Sequence, residues 1–237
     1  MFFCLHRRLM TQIKDWLRKK GITRANLRWI RVRRIASDWL MTPYLTQKQR
    51  RMLVGTGDPI RYGTILLSVE QIGKDRIPGS LAECGVYKGS LSKFLHSMLP
   101  DRQLFLFDTF EGFDQRDSGS PDDERFKDTS ERSVLHNIGT TQNVIIRKGY
   151  FPNTSVGLED ERFAFVMIDF DRYEPTLAAL KFFYSRVNPG GFIFVHDYNS
   201  PESDWACARA LTEFLADKSE RPVCIPDAWG TAIFRKS

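Results

Sequence analysis

The chain has only four cysteines, Cys4, Cys84, Cys207 and Cys224, and no two stand at CxxC spacing. This argues against a thiolate zinc site or a disulfide framework and fits reduced thiols in a cytoplasmic protein. No apolar run approaches the roughly 20 residues of a membrane span. The opening Met-Phe-Phe-Cys-Leu-His-Arg-Arg puts its basic residues after a very short apolar stretch, the wrong order for a secretory signal. The Gly-x-Gly-x-x-Gly turn that seats a pyrophosphate on a helix N-terminus is also missing, which weakens a dinucleotide reading. Neither internal repeats nor low-complexity tracts occur.

What is present suffices for a full core: 42% of residues are hydrophobic against 27% charged. The charge is unevenly placed. Residues 1–62 hold 15 Lys and Arg against 3 Asp and Glu, a net +12, and residues 63–237 hold 20 against 26, a net −6. The basic balance therefore belongs to the N-terminal segment. Residues 10–40 read as a helix in which Leu17, Leu27, Ile30 and Trp39 stand among arginines, with Gly21 as an interruption. Such a helix suits the surface of an anionic membrane or a partner protein. It also suits a dimerisation or lid segment with solvated arginines, and dimerisation would make the chain a homo-oligomer. The cluster Gly55-Thr-Gly-Asp-Pro59 marks a boundary, giving a basic appendage over 1–61 and a main domain over 62–237.

The main domain alternates helix and strand. A helical stripe runs from Ile65 to Ile72, a first strand from Ser80 to Val86 and a helix from Ser90 to Leu99. A second strand, Leu104 to Phe107, ends at Asp108. Residues 114–131 read as a polar excursion suited to a lid. Val144 to Arg147 is a third strand. Then come Phe163 to Ile168, ending at Asp169-Phe-Asp171, a helix from Pro175 to Val187, and Gly190 to Val195, ending at His196-Asp197. A helix from Trp205 to Ala216 and short strands near Val223 and over Ala232 to Phe234 complete the chain. This alternation predicts an α/β, Rossmann-like, mostly parallel sheet with helices on both faces. Unbroken apolar strands belong to sheets buried on both sides. In open sheets of this kind ligands bind beyond the carboxyl ends of the strands, where these acids and the histidine would gather.

Glu83-Cys-Gly85-Val-Tyr87-Lys-Gly89-Ser90 occupies the first strand-to-helix turn. Glycines there admit close approach by a ligand, and an acid two residues earlier suits a ligand with a cationic amino-acid moiety. Asp108 is placed to accept hydrogen bonds from ribose hydroxyls, with an N-cap role as the alternative. Tyr87, Ser90 and Thr109 join this shell. Arg172 and Tyr173 are equally suited to substrate contact and to salt-bridge or core roles.

Four ordered motifs carry a resemblance: Glu83-Cys-Gly-Val-Tyr-Lys-Gly-Ser, Phe107-Asp-Thr-Phe-Glu-Gly, Ile168-Asp-Phe-Asp-Arg-Tyr-Glu-Pro-Thr and Pro189-Gly-Gly-Phe-Ile-Phe-Val-His-Asp-Tyr. Over residues 62–237 the chain resembles the macrocin O-methyltransferase (TylF-like) family. The resemblance implies a class I methyltransferase fold and S-adenosylmethionine as cofactor, held by Glu83, Gly85, Tyr87, Gly89, Ser90, Asp108, Thr109 and Asp169. It implies a hydroxyl acceptor on a sugar, glycoside or other small molecule or polysaccharide. It also implies a divalent metal, usually Mg²⁺, on Asp169, His196 and Asp197, which are then the catalytic residues.

His196 departs from the pattern, because the family carries an Asp there and Mg²⁺ prefers oxygen ligands. Three roles stay open for it. It could ligate a softer metal, act as a general base, or sit in a metal-free site bonded to Asp169 or Asp171. Two rival functions are a nucleic-acid methyltransferase, suggested by the basic N-terminus, and a non-catalytic nucleoside- or nucleotide-sugar-binding protein. The first is disfavoured because Asp169-Phe-Asp-Arg replaces the Asp/Asn-Pro-Pro-Tyr motif usual for base methylation.

Overall fold

The computed structural model describes residues 46–54, 56–117 and 123–237. The basic helix expected over 10–40 lies outside the described residues, as do residues 118–122 of the polar excursion. The chain divides into two compact units, Met1–Pro59 and Ile60–Ser237. In the described part of the first unit, helix α1 (Gln47–Val54) starts at a reciprocal cap. The Thr46 amide donates to Gln49 Oε1 (2.7 Å) and the Gln49 amide to Thr46 Oγ1 (3.3 Å). No described helix is long and apolar enough to cross a membrane.

The second unit carries a seven-stranded sheet. In chain order its elements are α2 (Pro59–Lys74), β1 (Ser80–Cys84), α3 (Ser90–Met98), β2 (Leu104–Asp108), α4 (Glu131–Ile138), β3 (Val144–Lys148), β4 (Phe163–Ile168), α5 (Tyr173–Tyr184), β5 (Val187–Val195), α6 (Ala206–Leu215), β6 (Val223–Ile225) and β7 (Thr231–Arg235). The spatial order is β3-β2-β1-β4-β5-β7-β6, with β1 to β5 parallel and β7 antiparallel to both its neighbours. Strand β1 pairs with β2 on one side and β4 on the other, so the order reverses there. A ligand crevice is expected outside the carboxyl ends at such a switch point.

Burial explains the apolar runs, because every residue of β1 and β4 is buried. One face of the sheet presents Ala82, Cys84, Phe105, Phe107, Val166 and Ile193 to Leu180 and Phe183 of α5 and Leu211 of α6. Edge-to-face rings centre this layer. Phe183 lies 5.0 Å from Phe163 and 5.7 Å from Phe107, and Phe107 lies 5.6 Å from Phe151. Phe163 joins a face that strict alternation from Val166 would deny it, because β4 shifts register against β1 between Ser80 and Leu81.

Three expectations change. Residues 131–138 form helix α4, which the sequence analysis had not assigned. Its capping box joins Ser130 to Ser133 in place of the usual Glu or Gln, and Gly139 closes it in the left-handed region. The helix expected to reach Val187 stops at Tyr184, and Val187 already belongs to β5. Partners on β4 jump from Val187 to Phe192, so a bulge accommodates Pro189 within the strand. The first strand ends at Cys84, because Gly85 turns the chain at φ +83°.

Gly85 has the least room of the described glycines. A Cβ there would lie 1.9 Å from the Asp169 carbonyl oxygen, while Gly139, also at positive φ, has open space within 4 Å. The two positions separate conformational strain from collision. Gly139→Ala should cost about 1–2 kcal/mol for the left-handed backbone, and Gly85→Ala about 3 kcal/mol or more because β1 and β4 must also part. Denaturant unfolding of the two variants measures both; equal losses would contradict the close packing of these strand ends.

Candidate functional site

The loop after β1 is held by the acid that ends β2. Asp108 Oδ2 accepts the amides of Val86 (2.6 Å) and Tyr87 (2.9 Å), and its Oδ1 accepts that of Phe110 (2.7 Å). These are charge-assisted bonds that fix the loop's path. Asp108 thus has work that the ribose expectation did not foresee, although a carboxylate can accept roughly four bonds. Tyr87 is held at φ +49°. Its hydroxyl donates to Asp128 Oδ1 (2.8 Å) and its ring meets Phe126 edge-on at 5.1 Å. Gly89 (φ +72°) caps α3, and a Cβ there would sit 2.8 Å from Val134 Cγ1. Ser90 is the exposed first residue of α3, not its cap. Thr109 Oγ1 donates to the Gly112 carbonyl (2.6 Å), closing the turn after β2. The glycines expected to admit a ligand are thus required first by neighbouring protein atoms.

Glu83 points from β1 toward α3, where it accepts the Ser92 hydroxyl (2.6 Å) and is 3% exposed. Burial pushes its carboxyl well above the usual range, against the pull of the Ser92 bond, and Asp169 and Asp108 add repulsion.

The end of β4 meets the same loop, because the Asp169 amide donates to the Cys84 carbonyl (2.8 Å). Asp169, Asp171 and Asp197 form a carboxyl cluster beyond β4 and β5. Burial is the leading cause of all three shifts, raising Asp169 to about 7, Asp197 to about 6 and Asp171 well above the normal value. Asp197 is hydrogen-bonded to Asp171, which holds the Asp171 proton more tightly. Arg61, from the first turn of α2, brings Nη1 to 3.4 Å from Asp169 Oδ2 and counters the burial. Arg61 is the last residue of the appendage expected over 1–61, where no role for it is legible.

His196 is buried directly after β5, and its amide donates to the Ile168 carbonyl (2.9 Å). Its Nδ1 lies 3.0 Å from Thr231 Oγ1, a partner on β7 that the sequence analysis did not consider, and Nε2 lies 3.9 Å from Asp197 Oδ1. Register explains the meeting: β5 and β7 run antiparallel with Val195 opposite Ala232, which sets His196 opposite Thr231. One ligand atom from each of Asp169, His196 and Asp197 lies within 4.8 Å of the others. A cation with ligands at about 2.0–2.6 Å fits that spacing, and the crowded carboxyls fit a positive charge. Two oxygens and an imidazole form a donor set mixed between hard and borderline.

Most of these groups face one cavity of about 350 Å³, whose lining includes Glu83, Gly85, Asp108, Asp169, His196 and Asp197 but not Gly89 or Thr231. Tyr87, Ser90, Thr109 and Arg61 also line it, as do Phe113, just before the polar excursion, and Arg125 and Phe126 from its described part. That stretch is anchored rather than loosely solvated. Asp123 pairs with Arg125 and Arg172 (both 2.8 Å), and Arg172 stacks 3.9 Å over Phe113. Arg172 and Tyr173 therefore take the structural alternative considered for them: Arg172 is buried against Asp123, and the Tyr173 hydroxyl donates to Glu213.

The chain is 30% identical over 166 residues to mycinamicin III 3''-O-methyltransferase of Micromonospora griseorubida, covering 62% of this chain and 64% of that one. It is 28% identical over 156 residues to 8-demethyl-8-(2,3-dimethoxy-alpha-L-rhamnosyl)-tetracenomycin-C 4'-O-methyltransferase of Streptomyces olivaceus, covering 58% and 60%. The match thus spans less than two thirds of these curated relatives. Among solved structures, the O-methyltransferase NovP superposes with a TM-score of 0.66 at 24% identity over 76% of this chain and 80% of that one, a likeness of fold. The family model for macrocin O-methyltransferase (TylF) matches residues 18–236, and the chain belongs to that family.

Proposed function

We propose that the protein is an S-adenosylmethionine-dependent O-methyltransferase acting on a hydroxyl of a sugar-bearing small molecule. The observation that carries the reading is the shared cavity: residues 85–88 of the loop after β1 and the cluster Asp169, His196 and Asp197 line one space of about 350 Å³ in a member of the TylF family. The relatives' names support the acceptor class, since one specifies a 3''-oxygen of mycinamicin III and another a 4'-oxygen of a rhamnosyl tetracenomycin.

Methyl transfer from a sulfonium is an in-line displacement: the acceptor oxygen forms the new C–O bond as the C–S bond breaks. Alignment therefore supplies much of the acceleration. The loop pinned by Asp108 would hold the nucleoside part of the cofactor rigidly against β1. Glu83 would meet its ammonium group, and that cation would supply the countercharge that burial makes Glu83 lack. A sugar hydroxyl must also lose its proton. Asp197 suits that step, because a carboxylate raised by burial to about 6 is a stronger base than an ordinary one and is still ionised at neutral pH, while Asp171 keeps its proton. Asp169, His196 and Asp197 would hold a divalent cation, which supplies a lowered hydroxyl pKa when bound. Arg61 would then help to balance the cluster while the cation is absent.

Asp169→Ala and Asp197→Ala should each lower methyl transfer at least about 10²-fold, and in Asp197→Ala S-adenosylmethionine affinity should stay near wild type. Calorimetric binding together with a methyl-transfer assay checks this; normal turnover in either variant contradicts the proposed centre.

A second outcome concerns stability. Asp169 titrates near 7 in the folded protein against 3.8 for an ordinary aspartate. Between those values the folded chain keeps a proton that the unfolded chain has released. The Asp169 contribution is therefore fully present below about pH 4 and is lost as the pH rises through about 7. Unfolding of metal-free protein across this window should show the loss in wild type, and Asp169→Asn should flatten it. Added Mg²⁺ or Mn²⁺ should stabilise wild type at neutral pH more than Asp169→Asn. An unchanged slope, or an equal cation response in the variant, contradicts the cluster's electrostatics.

A further inference from the structure

We infer that Thr231 and Asp227 are positioning residues that fix the tautomer of His196, so that its Nε2 presents a lone pair to the Asp169–Asp197 cluster. The inference rests on proton accounting in a chain of three buried groups. Thr231 Oγ1 donates to Asp227 Oδ2 at 2.6 Å, and the same oxygen lies 3.0 Å from His196 Nδ1. A hydroxyl has one proton to give. Thr231 commits it to Asp227, so the contact with His196 is one in which Nδ1–H donates and Oγ1 accepts. A neutral imidazole carrying its proton on Nδ1 has its lone pair on Nε2.

The surroundings hold that arrangement in place. Thr231 is fully buried, the Asp227 side chain is 0% exposed and His196 is 5% exposed, so bulk water does not compete for these bonds. Asp227 Oδ2 is also 3.8 Å from His196 Nδ1 and favours a proton on that nitrogen. The backbone places all three groups. Thr231 begins β7 opposite His196, and Asp227 lies in the short connection from β6, where its carbonyl accepts the Gly230 amide (3.2 Å). Nε2 faces the other way, toward Asp197 Oδ1 at 3.9 Å. A carboxylate in the same place would need no second partner. An imidazole does, because its other nitrogen decides whether the ring donates or accepts at the site, and outer hydrogen bonds commonly make that decision for metal-binding histidines. With Nε2 unprotonated, His196 can ligate a cation or take a proton from a hydroxyl; with Nε2–H it can do neither.

This inference rests on the proposed function for its consequence, though not for its test. Nitrogen-15 NMR of the full-length, metal-free protein labelled at histidine, at about pH 8 where an ordinary imidazole is neutral, reads the tautomer without any turnover. Comparison with His196→Gln picks out the His196 signals among the four histidines. The expected spectrum shows Nδ1 protonated and Nε2 unprotonated. Thr231→Val should move the ring toward Nε2–H, Thr231→Ser should restore the wild-type pattern, and Asp227→Asn should weaken the preference, since an amide can donate to Thr231 and reverse the chain. Mn²⁺ affinity should fall about 10–100-fold in Thr231→Val and recover in Thr231→Ser. A wild-type ring protonated at Nε2 overturns the inference without recourse to any variant, and so does a folded Thr231→Val protein with unchanged tautomer. The expected tautomer without methyl transfer would overturn the proposed function alone, and methyl transfer with the opposite tautomer would overturn this inference alone.

Discussion

The site depends on the contact between the ends of β1 and β4. The Asp169 amide bonds the Cys84 carbonyl, and the Asp169 carbonyl occupies the space that any side chain at position 85 would need. Because that contact is so close, the loop leaving β1 and the acids leaving β4 share a wall of one cavity. Asp108 fixes the other side of the loop through three backbone amides. The loop after β1 and the acid cluster are thereby held against each other by backbone geometry, which is the least adjustable part of a protein. Alignment for a displacement reaction asks for that rigidity.

Charge is the second constraint. Crowding half-buried Asp169 and Asp171 against buried Asp197 is costly unless the group takes up protons or a cation. Arg61 offsets part of the cost, and the shared hydrogen bonding between Asp171 and Asp197 offsets more. A cluster arranged in this way is stored electrostatic demand, suited to a metal ion or to the proton of an incoming hydroxyl. The histidine joins it through β7, the antiparallel strand that the register brings to the end of β5.

The strands were legible because burial on both faces writes itself as unbroken apolar runs, as in Phe163–Ile168 and Leu104–Phe107. The residues that end those runs were legible too: Asp108, Asp169, His196 and Asp197 do line one cavity. What escaped the sequence depends on pairing and on atoms far apart in the chain. Helix α4 escaped because Ser133 stands where a capping Glu or Gln would have announced it. Thr231 sits in a short, weakly patterned strand, and only the β5–β7 register makes it the neighbour of His196. Arg61 lies 108 residues from Asp169 and reaches it from the first turn of a helix. The local bond from the Phe110 amide to Asp108 was within reach of a capping reading, but the bonds from Val86 and Tyr87, 22 and 21 residues away, leave no mark in a linear reading.

The central claim is that loop and acid cluster form one reaction centre. Diffraction from crystals grown with S-adenosylhomocysteine and Mn²⁺, with anomalous data recorded for manganese and sulfur, tests it most directly. The account predicts a manganese peak among Asp169, His196 and Asp197, and a cofactor sulfur in the same cavity with the Gly85–Gly89 loop against its nucleoside. A cofactor bound away from that loop, or a metal peak remote from those three residues, would contradict it.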